Sequence, residues 1–120
     1  MKLNEAAKQV LLGEGKIPSE IRNLFKAITT LPQYKQNKDK AICTLDEGGY
    51  GEITIKDANE EMSDSEGLSN MEITYGFNGD KSGKFSVEST GQDYKSIKQK
   101  VDMDKAIQLA KRHIINLATA

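Results

Sequence analysis

Apolar positions follow two periods along the chain, 3.6 residues at both ends and 2 in the middle, and this change divides it into helical and strand-forming parts. Leu3, Ala6, Ala7, Val10 and Leu11 recur at three-and-four spacing, and Gly13 and Gly15 then supply a stop, which predicts a helix over 3–12. Pro18 suits a first helical turn, where its missing N–H would have no partner, and Glu20 lies where the helix dipole favours an anion. Ile21, Leu24, Phe25, Ile28 and Leu31 continue as one stripe that Pro32 ends, predicting a second helix over 18–31. The short connection between these two helices favours an antiparallel pair.

After a polar stretch, 33–40, the period becomes 2. A strand is predicted over 42–46 and another over 50–57, where Ile53 and Ile55 alternate with Glu52, Thr54 and Lys56; the acidic and glycine residues between them make a hairpin. Met71, Ile73, Tyr75 and Phe77 alternate with Glu72, Thr74 and Gly76, and Phe85 and Val87 with Lys84, Ser86 and Glu88, predicting a second hairpin around the segment 78–83. Such half-apolar strands imply an antiparallel sheet covered on one face and wet on the other. Asp102 is a natural N-cap for a last helix whose stripe is Met103, Ala106, Ile107, Ala110, Ile114, Leu117 and Ala118. Tyr94, Ile97 and Val101, spaced i, i+3, i+7, read as a separate helical turn or a leading extension of that helix. The expected fold is α+β: two layers, a four-stranded antiparallel sheet with the N-terminal helix pair and the C-terminal helix packed on one face.

At 120 residues the chain is expected to form one compact domain, with a thin core, since Leu, Ile, Val and Phe number only 26. The apolar runs are too short for a membrane span, the N-terminus lacks a basic-then-apolar secretory pattern, and the one cysteine, Cys43, suits a reducing compartment. A cytoplasmic location without membrane attachment is the expectation.

The net charge of −1 hides an uneven distribution. Residues 1–45 carry eight basic and four acidic side chains, 46–72 one and nine, and 73–120 eight and five. Glu60, Glu61, Asp64 and Glu66 fall in the stretch 57–70, which contains few apolar groups and reads as a mobile acidic loop joining the hairpins. As a solvated loop it needs no further role; as a binding element it would dock a basic partner. The basic residues Lys98, Lys100 and Arg112 near the C-terminus are the counterpart. Acidic Asp93, Asp102 and Asp104 interrupt that run, and most aromatics occupy core-type positions instead of being offered for base stacking.

Catalytic and metal chemistry finds little support. The only histidine, His113, borders the apolar stripe of the last helix, and Cys43 lies in an apolar strand where an inert buried thiol is the ordinary outcome. His/Cys metal sites fail on count. Asn78, Asp80, Ser82 and Gly83 match the start of a calcium loop, but position twelve is Ser89 in place of a bidentate Glu, so a glycine-rich hairpin turn accounts better for them. No cofactor or metal is expected. The resulting expectation is a small non-enzymatic protein-binding module, an inhibitor, immunity-type or accessory regulatory protein. It would act through a polar sheet face that includes Glu52, Lys56 and Glu72, together with Glu60, Glu61, Asp64 and Glu66 of the acidic loop. The partner expected is another protein. The alternative is an electrostatic nucleic-acid binder using Lys98, Lys100 and Arg112.

Overall fold

A computed structural model describes residues 17–48, 51–58, 70–76, 79–90 and 96–119 of the chain. The helix expected over 3–12, and nearly all of the acidic loop, lie outside these residues. The described elements run α1 (Ser19–Thr29), α2 (Pro32–Gln36), β1 (Ala41–Leu45), β2 (Ile53–Asp57), β3 (Asn70–Tyr75), β4 (Phe85–Thr90), β5 (Ser96–Val101) and α3 (Met103–Thr119). The fold is α+β, and its sheet is antiparallel throughout in the order β1-β2-β3-β4-β5. Among the described residues it has five strands where four were expected.

The fifth strand occupies 96–101 of the helical turn predicted over 93–101, and residues 93–95 lie outside the described residues. Ile97 and Val101 are four apart, a spacing that returns to one face in a helix and, being even, also in a strand. The polar residues between decide the matter: Lys98 and Lys100 alternate with Ile97, Gln99 and Val101. β5 pairs along the whole of β4, with Phe85 opposite Val101, Val87 opposite Gln99 and Glu88 opposite Lys98.

A smaller correction concerns Pro32. The hydroxyl of Thr29 donates to the Phe25 carbonyl at 2.9 Å and that of Thr30 to the Lys26 carbonyl at 2.9 Å, and α1 ends at Thr29, two residues before the expected end. Leu31 is then extended, as a residue before proline should be, and Pro32 opens the short helix α2 instead of merely ending α1.

Alternate strand positions are buried on one side only. Ala41, Cys43, Ile53, Ile55, Met71, Ile73, Phe85, Val87 and Val101 join one core with Ile21, Leu24 and Ile28 of α1 and Ala106, Ala110, Ile114 and Leu117 of α3. α1 packs on β1 and β3, and α3 on β1, β2 and β4. Asp102 caps α3 as its sequence position suggested, its Oδ1 accepting the Lys105 N–H at 2.9 Å. Ile107, expected in the core stripe, is only partly buried, because the buried face of α3 runs through Ala106, Ala110, His113, Ile114 and Leu117.

The first hairpin is narrower than its apolar pattern implied, since β2 begins at Ile53 and not at residue 50. Gly51 interrupts the strand with φ +80°, and a Cβ there would lie 2.9 Å from Cγ2 of Ile17 and 3.2 Å from Cγ2 of Ile21. Left-handed strain and this contact act together, so Gly51→Ala should destabilise the protein by about 1–3 kcal/mol. Chemical denaturation of the two proteins measures it; an unchanged midpoint would mean that the hairpin does not seat against Ile17 and Ile21.

Candidate functional site: the outer side of the sheet

Antiparallel register carries side chains straight across the sheet, so the polar positions of successive strands align into rows. Thr44 lies opposite Thr54, Thr54 opposite Glu72, Glu72 opposite Glu88, and Glu88 opposite Lys98. A second row takes Thr74 to Ser86 and Ser86 to Lys100. These rows lie on the side of the strands away from the buried apolar set. Thr44, Glu72, Lys98 and Lys100 are exposed on it, while Thr54, Lys56, Thr74, Ser86 and Glu88 are partly covered.

Of the residues singled out in the sequence, Glu52 and Glu72 come together electrostatically. Glu52 stands just before β2, and its carboxyl titrates above the ordinary range, first because it is partly desolvated and then because Glu72, Asp46 and Glu88 repel its charge. Lys56 is in the outward row one step away, opposite Ile42. Glu60, Glu61, Asp64 and Glu66 lie outside the described residues. Lys98 and Lys100 occupy the outer side of β5, whereas Arg112 is exposed on α3.

The charge pattern is thus acidic over the middle strands and basic along β5. Lys100 Nζ sits 3.1 Å from Asp80 Oδ2. Asp80 also accepts the Ser82 N–H at 2.9 Å, and that backbone hydrogen bond, followed by Lys100, holds its carboxyl below the usual range. Gly79 and Gly83 flank it with positive φ, and residues 79–83 of the segment resembling a calcium loop lie in the connection between β3 and β4, Asn78 falling outside the described residues. Among the described residues, no three His, Cys, Asp or Glu side chains are grouped to hold a metal ion.

Because Glu52 is raised, folding disfavours its charged form; the associated stability is greatest at acid pH and is lost as pH rises through the folded titration. Glu72→Gln removes the largest of the repelling charges, so the Glu52 titration should move down towards that of a free glutamate. Carboxyl-detected NMR titration reads the shift. An unmoved midpoint would separate the two groups and break the proposed acidic field.

Cys43 and His113 are both buried. Desolvation pushes the Cys43 thiol up to about 12, so it stays protonated at neutral pH and is a poor nucleophile. The sequence assigned no role to Tyr34. Tyr34 is partly buried against the core, its hydroxyl accepts the Cys43 N–H at 3.3 Å, and Lys38 Nζ lies 5.9 Å from its ring centre. The only advance signal was a tyrosine in an otherwise polar connection.

None of the described helices is long and apolar enough to cross a membrane. Compared with family models, with curated proteins and with solved structures, the chain matches none of them.

Proposed function

We propose that this chain is a small non-enzymatic protein-binding module that presents the outer side of its sheet, with the acidic stretch 57–70, to another protein. The single observation carrying this reading is the row Thr44, Thr54, Glu72, Glu88 and Lys98 across all five strands, beside Glu52, whose carboxyl is raised first by partial desolvation and then by the neighbouring carboxylates. A basic surface laid on the middle strands would relieve that repulsion, and the threonines offer hydroxyl donors and acceptors beside it. The two-layer arrangement, with helices on the apolar side only, belongs to this proposal because it leaves the polar side open. An inhibitory, immunity-type or accessory regulatory role in the cytoplasm would use the same surface.

The test is affinity capture from the native cell at low and moderate salt with nuclease added, followed by lysine-directed cross-linking and mass spectrometry. The expected result is a protein partner retained after nuclease and cross-linked through Lys56, Lys84 and Lys98. Capture that disappears with nuclease would contradict the proposal and promote nucleic-acid binding through Lys98, Lys100 and Arg112, and protein cross-links confined to α3 would contradict the sheet as the binding surface.

A further inference from the structure

The two edges of the sheet differ in what their backbone groups meet, and the register shows why. In an antiparallel ladder each residue aims its N–H and C=O at one neighbour, and successive residues alternate sides. The Asp46 N–H donates to the Glu52 carbonyl at 2.9 Å and the Ala58 N–H to the Lys40 carbonyl at 3.0 Å, so the even-numbered positions of β1 bond to β2. The odd-numbered positions of β1 therefore face away from the sheet. Two of those N–H groups have partners from the chain itself: Ala41 donates to the Asn37 carbonyl at 2.9 Å, and Cys43 to the Tyr34 hydroxyl at 3.3 Å. The β1 edge is covered by α2 and the turn after it.

Carrying the same alternation across the registers of β2, β3 and β4 assigns Ile97, Gln99 and Val101 to the ladder with β4. The backbone N–H and C=O groups of Ser96, Lys98 and Lys100 then point outward. Among the described residues, nothing pairs with them through the backbone. Unpaired strand edges of this kind accept extended segments by main-chain hydrogen bonding.

Resting on the protein-binding reading above, we propose that the β5 edge is a strand-addition site for an extended acidic segment of the partner protein. Side chains of an added strand that lie opposite Lys98 and Lys100 project to the outer side of the sheet, next to two ammonium groups. Those ammoniums have the valence for it: Lys100 already holds the Asp80 carboxylate at 3.1 Å, and an ammonium has three donors. The same lysines exclude a second copy of this chain. Antiparallel pairing of β5 with itself, centred on Gln99, sets Lys98 against Lys100 twice, and centring on Lys98 sets that residue against itself. Positions of the added strand that lie opposite Gln99 and Val101 continue the inner side, where Gln99 is exposed and Val101 is buried. The favoured segment therefore alternates acidic with apolar residues.

The probe is the peptide acetyl-Gly-Val-Glu-Val-Glu-Val-Glu-Val-Gly-amide, compared with its lysine counterpart, added to the 15N-labelled full chain. With the acidic peptide, the amides of Ser96, Lys98 and Lys100 should shift and exchange more slowly, with affinity at least about tenfold above that of the lysine peptide. Lys98→Glu together with Lys100→Glu should invert this preference. Lys98→Pro removes an outward N–H without touching the β4 ladder, so it should abolish peptide binding while leaving cooperative unfolding intact. Equal binding of both peptides, binding that survives Lys98→Pro, or outward amides already protected in the free protein would each overturn the proposal. Peptide shifts centred on Thr44, Thr54 and Glu72 would overturn strand addition but leave protein binding by the sheet face standing; the broader reading falls separately if the capture experiment yields only nucleic acid.

Discussion

Ile114→Ala should cost the fold about 2–5 kcal/mol, enough to remove a large part of the stability of a small domain. Ile114 is fully buried in the middle of α3, between Ala110 and Leu117 on the face that meets the strands, and the small alanines at 106 and 110 leave it to fill the space there. Truncation removes the transfer free energy of three carbon atoms and opens a cavity that the flanking strands cannot readily close. Ile107→Ala should cost clearly less, because that side chain is only partly buried. Urea denaturation of both variants gives the comparison. Small losses for both, accompanied by weaker self-association or partner binding, would mean that the stripe of α3 is an intermolecular surface.

Phe85→Ala should cost about 3–5 kcal/mol. Phe85 is 3% exposed and stands at a crossing of the register, with Tyr75 opposite on β3 and Val101 opposite on β5. Its ring meets the Tyr75 ring at a centroid distance of 5.0 Å and an angle of 51°, a tilted contact that adds to simple area burial. Losing Phe85 therefore loosens both of its neighbours, and hydrogen exchange in β5 should rise with the fall in global stability. Thermal unfolding with exchange detected by NMR measures both. A large stability loss that leaves β5 exchange governed by an unchanged local opening would show that β5 is held by something other than this contact.

What the apolar pattern revealed best were the elements with one strong period. The stripe of Ile21, Leu24 and Ile28 and the alternation of Met71 and Ile73 each admit one periodicity, and both elements formed with the type read, the helix ending two residues early at Thr29. Asp102 likewise caps the last helix as its position suggested. β5 was misread because Ile97 and Val101 satisfy both periods, and Tyr94 tipped the spacing towards a helix. Strand identity there depends on β4, whose inward Phe85 and Val87 require a neighbour, and such a long-range demand is absent from a local window.

The candidate site was legible residue by residue but not as an arrangement. That Glu52 and Glu72 face solvent follows from alternation within each strand. That they share a field with Glu88 and Asp46 follows only from register, which the turn around Gly51 and the loops set. The closure of the β1 edge by Tyr34 and Asn37 was hidden for the same reason, since both belong to a connection without an apolar period.

Binding of a protein by the outer side of the sheet is what these proposals share. Its most direct test is the affinity of the captured partner for two charge-reversed variants, Glu52→Lys with Glu72→Lys on the sheet and Lys105→Glu with Arg112→Glu on the exposed side of α3. Both sets lie at solvent-accessible positions, so each folded variant should retain cooperative unfolding. At least about a tenfold loss is expected for the sheet variant, slower association included, and a change within about twofold for the helix variant. A partner that ignores Glu52 and Glu72 but is lost when Lys105 and Arg112 are reversed would contradict it.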